Sequence, residues 1–515
     1  MMSDVEAKHV ESEHVEATHI DEEQVEEKCP QTIILSNEQT LALEIFRKGS
    51  NLFLTGPGGS GKTELIKKMV QIAQLRKTRV QVCALTGCAA ILLKTNGGIG
   101  TKTIHSWAGI GLCKDTVYNV VDRVVKNKYK SAVWKKTDLL IVDEVSMMSK
   151  KLFTILDKIG RATRKRDDKP FGGIQVVFSG DFYQLPPVGD SDDETTSAFC
   201  FESETWNNTF GSECIVQLKT IFRQTDKDYS DILNQIRVGK LKKSSYDKLM
   251  TRVISSSSIR EDGIRPTIML PKRKDVELIN STEMAKLEGN KKEEFIMTVV
   301  EDRPSSSSSS AAAASNPYNK GKYSAYSKSI SKSTKDESEY EPISEQTREM
   351  EIKFLKENVM VSQKLTLTVG TQVMCVANID MDSSNPIANG SQGIVTQFSK
   401  EGLPIVRFSN ANANGNGNTK ERIIGYHVWN SENIKWLGVK QIPLIYSWAI
   451  TIHKSQGVSL DFAEIDAGSN IFECGQTYVA LSRVKSLEGL FLTSFNPQKI
   501  IVDKKVKAFY DSISK

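Results

Sequence analysis

Residues Asn51–Val70 read NLFLTGPGGSGKTELIKKMV, and this stretch decides the fold. A short apolar run, Asn51–Thr55, enters a glycine-rich turn, and a helical pattern leaves it. The turn GPGGSGKT satisfies G-x-x-x-x-G-K-[ST], with the strand before and the helix after that the motif needs. Its glycines let successive backbone N–H groups curl around a phosphate, and the helix N-terminus adds partial positive charge. Lys62 is placed to reach the β- and γ-phosphates, and the Thr63 hydroxyl to join Mg²⁺. The pattern predicts a protein that binds a nucleoside triphosphate.

Downstream, apolar runs recur at intervals suited to a parallel α/β sheet: Val80–Leu85, Leu139–Val142 and Ile174–Phe178. Each ends in a polar cluster, and ligands of such sheets sit at the carboxyl ends of the strands. Asp143-Glu144 is the most informative cluster. One carboxylate suits Mg²⁺, and the next suits orienting or deprotonating a water. In Gly180–Val188, Gln184 sits where a polar side chain can report a γ-phosphate; a capped turn is the competing reading. Upstream, LSNEQTLALEIF (Leu35–Phe46) predicts a helix with Ser36 as N-cap and Gln39 at the capping-box position.

The totals fit a multidomain protein. The chain has 515 residues, 39% hydrophobic and 25% charged, an ordinary globular balance. No run of about 18 apolar residues exists, so no membrane span is predicted. Eight cysteines (Cys29, Cys83, Cys88, Cys113, Cys200, Cys214, Cys375 and Cys474) form no CxxC pair, which argues for a reducing compartment and against zinc. The net charge of +5 hides an asymmetry: residues 1–29 hold ten acids and two lysines, leaving +13 on the rest. A basic body suits a polyanionic partner.

The acidic segment repeats every five residues (VEAKH, VESEH, VEATH), a step that builds no buried face on a helix or a strand. Residues 1–30 are therefore expected to be a disordered tail, with recruitment of a protein partner as a possible role. It is the opposite of an Arg-rich mitochondrial leader, and no secretion signal is visible, so the expected location is nuclear or cytoplasmic, including a viral replication site. A second α/β unit is expected from Cys214, with Arg223 after an apolar run and strands at Thr267–Leu270, Ala463–Asp466 and Leu490–Thr493. A lone arginine is ordinarily a surface charge. Residues 301–350, with Ser305–Ser310 and Ala311–Ala314, read as a low-complexity linker. Short alternating segments from Leu365 (TQVMCVA, SQGIVTQF, LPIVRF, RIIGYHVW, QIPLIYSW) predict a small β-barrel.

Taken in order, GPGGSGKT, ALTGCAA, TIHSWAGIG, LLIVDEVSMM, GDFYQLPPV, LKTIFRQ, TIHKSQG and YVALSRV resemble superfamily 1 DNA helicases, and within them the petite-integration-frequency (Pif) branch, kin to RecD. LDKIGRATRKRDDKPFGGIQ (Leu156–Gln175) is similar to that branch's signature segment. The resemblance covers about 35–300 and 350–500. It implies an α/β fold: two RecA-like P-loop domains with parallel sheets and a small inserted β-barrel. The domains would be 31–212, with a strand-separating insertion near 109–136; 213–300 and 447–515 for the second; and 351–446 for the barrel.

The resemblance also implies ATP and Mg²⁺ as cofactors. Gln39 would read adenine; Gly56, Pro57, Gly58, Gly59, Ser60, Gly61, Lys62 and Thr63 would hold the phosphates. Thr63 and Asp143 would bind the metal, Glu144 would prepare the water, and Gln184 would couple the γ-phosphate to movement. Arg223 and Arg483 would stabilise the transferring phosphoryl group. Thr86, Thr103, His105, Thr451, His453 and Lys454 would face DNA; none is acidic, as a site against phosphates requires. For the two histidines, a hydrogen-bonded core role competes.

The implied activity is ATP-driven 5′→3′ travel on single-stranded DNA with unwinding of duplex or forked DNA, serving replication, repair, recombination or telomere maintenance. A DNA-stimulated ATPase that remodels protein–DNA complexes shares every motif. Motifs that grip phosphates do not separate DNA from RNA as the track.

Overall fold

The computed structural model describes residues 35–513 apart from 94–99, 112, 114, 225, 254–262, 303–343, 380–386, 410–419, 432, 433, 435 and 457. The expected acidic tail and most of the expected linker lie outside the described residues.

The first domain opens with α1 (Asn37–Arg47). Its start is locked by a capping box: Ser36 Oγ accepts from the Gln39 N–H (3.3 Å), and Gln39 Oε1 accepts from the Ser36 N–H (3.1 Å). β1 (Leu52–Thr55) runs into the glycine turn and α2 (Lys62–Leu75) leaves it. There follow β2 (Val80–Ala84), α3 (Gly87–Leu92), β3 (Thr101–Thr103), α4 (Ile104–Ala108), α5 (Val117–Lys126), α6 (Lys128–Lys136), β4 (Leu139–Asp143), α7 (Lys150–Arg164), β5 (Gln175–Gly180) and β6 (Ile215–Gln217). The six strands form one parallel sheet in the order β3-β2-β4-β5-β1-β6. Alternation along β1 feeds two cores. Leu52 and Leu54 pack with Leu65, Ile66 and Met69 on one face; Phe53 packs with Phe153, Phe178 and Trp206 on the other. Strands covered on both faces are apolar throughout, which is why β1 and β4 read as continuous runs.

The chain enters the second domain at α8 (Lys227–Arg237) and β7 (Thr267–Leu270). It then leaves for an insertion made of β8 (Lys292–Ile296), β9 (Thr298–Glu301), α9 (Glu345–Asn358), β10 (Lys364–Thr368), β11 (Gln372–Cys375), β12 (Gln392–Phe398), β13 (Pro404–Phe408), β14 (Lys420–Ile423), β15 (His427–Asn430), β16 (Leu437–Gln441) and β17 (Leu444–Tyr446). It resumes with β18 (Ala449–Thr451), β19 (Ala463–Ala467), α10 (Gln476–Leu481) and β20 (Leu490–Phe495), completing a parallel sheet in the order β18-β7-β19-β20. A last helix, α11 (Lys504–Ile513), follows.

The domain limits differ from those expected. β6 pairs in parallel with β1, Phe53 opposite Ile215, so the first domain runs past 212. α11 was expected in the second domain, yet Val506 and Tyr510 are buried in the core of the first, with Phe509 against Phe182 and Phe201. Its apolar side packs there against the rings of Phe182, Tyr183 and Phe201. The insertion begins at Lys292, because β8 pairs with β10 and β9 with β16. The helix α9 occupies the end of the expected linker.

The expected barrel is not one closed sheet among the described residues. Its strands make antiparallel sheets of five, three and two strands, with β14 and β17 at the edges of the largest. RIIGYHVW, expected as one strand, divides between β14 and β15, which pair with β13 and β16 respectively. That division transfers the chain to another sheet, and among the described residues the edge strands β14 and β17 do not pair with each other.

Candidate nucleotide and nucleic-acid site

The glycine turn crosses the end of the fully buried β1, so its backbone has one anchored side. Gly59 has φ +82°, a conformation that resists side chains, and a Cβ there would fall 2.5 Å from Arg223 Cβ. A Cβ on Gly61 would lie 2.9 Å from Gln39 Nε2. Gln39 thus has two ends: its oxygen closes the cap of α1, and its nitrogen abuts the phosphate loop. The Lys62 ammonium folds back on the loop, donating to Gly56 O (2.8 Å) and Pro57 O (3.0 Å). Burial lowers its pKa, against the pull of Asp181, Glu144 and Asp143.

Asp143 and Glu144 project from the end of β4. Asp143 Oδ1 accepts from the Glu144 N–H at 2.9 Å. Glu144 holds φ +57°, ψ +39°, a left-handed conformation that costs a non-glycine residue on the order of 1 kcal/mol and turns its carboxylate out of the strand direction. Its Oε2 is buried with no hydrogen-bond partner among the described residues, and so is Ser60 Oγ. Burial raises the pKa of both carboxyls, and Glu144 is raised further by Asp143 beside it. Paired carboxylate oxygens next to a hydroxyl, with donors already in place, fit a hard divalent cation and a polyphosphate.

The second domain contributes the opposite wall. A Cβ on Gly58 would sit 3.4 Å from Arg483 Nη2 and 3.6 Å from Arg223 Nη1, so both guanidinium groups touch the phosphate loop. Arg483 is held by Val479 O (3.0 Å) and Ser482 Oγ (2.9 Å); Arg223 donates to Ser482 O (3.3 Å). Burial, and then Arg223 itself, push the Arg483 pKa down to about 9. Gln184 is buried at the seam, where a Cβ on Gly475 would meet its carbonyl oxygen at 2.5 Å. Together these groups line a cleft of about 690 Å³ that includes Lys62, Thr63, Asp143, Glu144, Gln184, Arg223 and Arg483.

Two groups against the phosphate loop lay unassigned in the sequence. Tyr478 accepts a hydrogen bond from the Gly58 N–H at 2.9 Å, and Phe222 stands beside Gly61 and is 55% exposed. Each lies inside a motif already quoted; only chain distance hid their meeting with the loop.

The residues expected to face DNA divide. Thr86, His453 and Lys454 line the same cleft, whereas Thr103, His105 and Thr451 are not among its lining residues. All three threonine hydroxyls have a local task. Thr86 accepts from the Ala89 N–H, Thr103 from the Ser106 N–H and Thr451 from the Lys454 N–H, each at 3.2 Å. Each hydroxyl keeps its own proton to donate outward. Burial lowers the pKa of the half-buried His105, favouring the neutral ring.

The family model for PIF1-like helicases matches residues 34–247, and that for the Pif1 2B domain matches 353–398. The chain is 32% identical over 491 residues to the Xenopus laevis ATP-dependent DNA helicase PIF1, covering 94% of this chain and 65% of that protein. It is 30% identical to the Saccharomyces cerevisiae ATP-dependent DNA helicase RRM3, covering 93% of this chain and 68% of that one. The chain belongs to the PIF1-like helicase family. Among solved structures, this PIF1-like chain is similar to a Bacteroides Pif1 in complex with ADP-AlF4 (TM-score 0.69, 27% identity, 94% of this chain and 97% of that one). It is also similar to Bacteroides Pif1 bound to ssDNA (TM-score 0.56, 27% identity, 93% and 97%). The chain spans less than two thirds of the length of several PIF1-like relatives: 65% of the Xenopus protein, 64% of the Danio rerio PIF1 and 55% of Trypanosoma brucei PIF6.

Proposed function

We propose that the protein is an ATP-dependent DNA helicase that moves on single-stranded DNA, 5′→3′, and separates duplex ahead of it. The observation that carries this reading is the convergence of Lys62, Thr63, Asp143, Glu144 and Gln184 from one domain with Arg483 from the other, and with Arg223 from the segment between them, on one cleft. The names of the relatives and the DNA- and nucleotide-bound neighbours support it.

In this reading the loop N–H groups of Gly58–Lys62 bind the phosphates and Lys62 leaves the Gly56 and Pro57 carbonyls to meet them. Thr63 and Asp143 would hold Mg²⁺, which when bound neutralises charge on the phosphates. Glu144, whose raised pKa makes it the stronger base, orients a water and takes its proton. Arg223 and Arg483 stabilise charge as the phosphoryl group leaves, a role worth about 10³–10⁵ in rate for arginine fingers. Arg483 belongs to the second domain and Arg223, on the segment leading into it, is held by Ser482 O, so catalysis requires the cleft to be closed, and product release permits it to open. Closure of the two domains on ATP and their opening after hydrolysis supply alternating grip on a strand. A base-pair step costs about 1.4 kcal/mol of stacking, within reach of one hydrolysis event.

Unwinding of duplexes bearing a 5′ or a 3′ single-stranded tail tests this directly, with Lys62→Ala as control. Separation from the 5′ tail only, lost in the control, is expected. DNA-stimulated hydrolysis without separation on either substrate would make the protein a remodelling ATPase instead.

A further inference from the structure

Behind the cleft lies a buried cluster that the chemistry above does not use. Asp181, wholly buried at the end of β5, receives two hydrogen bonds from Arg237 of α8: Nε to Oδ2 and Nη2 to Oδ1, each 2.8 Å. The hydroxyl of Tyr510, on α11, donates to Asp181 Oδ1 at 3.3 Å. That hydroxyl has one proton, so the 2.6 Å contact with Thr55 Oγ1 has Thr55 as donor; the Phe182 N–H donates to it as well (3.2 Å). The Arg237 guanidinium lies 4.5 Å from the Tyr183 ring and 5.3 Å from that of Tyr510, and the two rings stack at 4.6 Å.

The placement is what matters. Thr55 is the residue before Gly56 of the phosphate loop, and Gln184 donates its N–H to Asp181 O at 2.8 Å. Arg237 belongs to the second-domain core with Leu233 and Ile236. Asp181 therefore reaches the root of the phosphate loop through Tyr510, the segment bearing Gln184 through its backbone carbonyl and through the Tyr183 N–H on Oδ1 (3.2 Å), and the second domain through its carboxylate. A buried ion pair gains little stability over a well-packed apolar pair, so stability alone gives no reason to place charge at this seam.

We propose that Asp181, Arg237 and Tyr510 are positioning residues forming a strut that carries the state of the phosphate site to the second domain, and thereby ties hydrolysis to movement on DNA. The inference rests on the helicase reading above. When Lys62 and the loop rearrange around phosphate, Thr55 and Asp181 shift together through Tyr510, and the forked Arg237 bond transmits the shift to α8.

The test uses the full chain with Asp181→Asn/Arg237→Met, which removes both charges together, and Tyr510→Phe, which keeps the ring stack and removes the hydroxyl. Steady-state ATP hydrolysis is measured with and without single-stranded DNA, beside base pairs separated per ATP. The strut predicts a KM for ATP and a DNA-free rate within about two-fold of the parent, with DNA-stimulated kcat and base pairs per ATP down about ten-fold in the double variant. Tyr510→Phe should lose about three-fold in stimulation, and it decides the matter if the double variant does not fold. Unchanged stimulation, or an equal loss with and without DNA, overturns the strut. A parent chain whose hydrolysis ignores DNA sinks the helicase reading first and the strut with it, an outcome visible before any variant is made.

Discussion

The Tyr478 hydroxyl accepts a hydrogen bond from the Gly58 N–H at 2.9 Å, joining the second domain to the middle of the first domain's phosphate loop. The donor it occupies is one that a bound phosphate would use. A bound phosphate and the Tyr478 hydroxyl therefore compete for one N–H. Tyr478→Phe frees that N–H. A neutral hydrogen bond is worth about 1 kcal/mol, so ATP affinity measured by calorimetry should rise about five-fold. Weaker binding would instead make the hydroxyl a partner of the nucleotide.

Gly59 and Arg223 are so close that a single methyl group separates two outcomes. Gly59→Ala puts a Cβ 2.5 Å from Arg223 Cβ, a clash, at a φ that alanine resists. The guanidinium must leave the cleft, and kcat should fall about 10³-fold, as for Arg223→Ala itself, with stability reduced by about 1–2 kcal/mol. Matching kcat values for the two variants, with circular dichroism unchanged, is the expected result. A much milder loss in Gly59→Ala would mean that the loop relaxes and the arginine stays.

Lys62→Ala removes the loop's only side-chain cation. Loss of one preorganised contact to developing charge costs about 10²–10³ in kcat, and hydrolysis should fall at least that far. Fluorescent-nucleotide titration should show weakened binding with the fold retained. Hydrolysis at the parental rate would remove this cleft from the mechanism.

The pH profile has a sign on each side. Glu144 must be ionised to take a proton, and burial with Asp143 alongside raises its pKa above the ordinary 4.5. The rate therefore falls on acidification at a pH above that value. Arg483 must be charged, and its pKa is pushed down to about 9, so the rate also falls as pH passes about 9. Glu144→Gln should abolish the acid limb along with most activity, whereas an alkaline limb that survives Arg483→Gln must come from another group. An acid limb centred at or below 4.5 would contradict the first assignment, and a rate unchanged from pH 8 to 10 the second.

α5 and α6 separate stability from strand separation. Trp134 is fully buried against Trp107, ring centroids 4.4 Å apart, and its Nε1 donates to Ala108 O. Trp134→Ala should cost about 3–5 kcal/mol in denaturant unfolding. Tyr129, two residues into α6, is 88% exposed on a lysine-rich helix. Tyr129→Ala should leave stability within about 0.5 kcal/mol yet slow unwinding more than hydrolysis, because an exposed ring among cations is placed to stack on a base. Equal effects on both rates would deny it that role.

Much of the site was legible because its parts are local. The Lys62–Thr63 pair, the Asp143-Glu144 step and the Ser36–Gln39 cap each depend on backbone geometry within a few residues, and such geometry leaves a pattern in the residues themselves. The buried strands were legible for a related reason: a parallel strand covered on both faces must be apolar throughout, and Leu139–Val142 is. The threonines were harder. Thr86, Thr103 and Thr451 carry a cap that the residues alone did not reveal as their first task.

The sequence by itself determined a phosphate-binding loop, two parallel α/β sheets and an order of motifs, since propensity, periodicity and turn chemistry act over short spans. Tertiary structure alone decided the rest. β6 joined the first sheet, α11 crossed back to the aromatic core, the described strands of the expected barrel divided among three sheets, and Asp181 met Arg237 and Tyr510 across 56 and 329 residues of chain. Those choices turn on which of several similar apolar surfaces or charges lie within reach once the sheets have formed. No local signal encodes that distance.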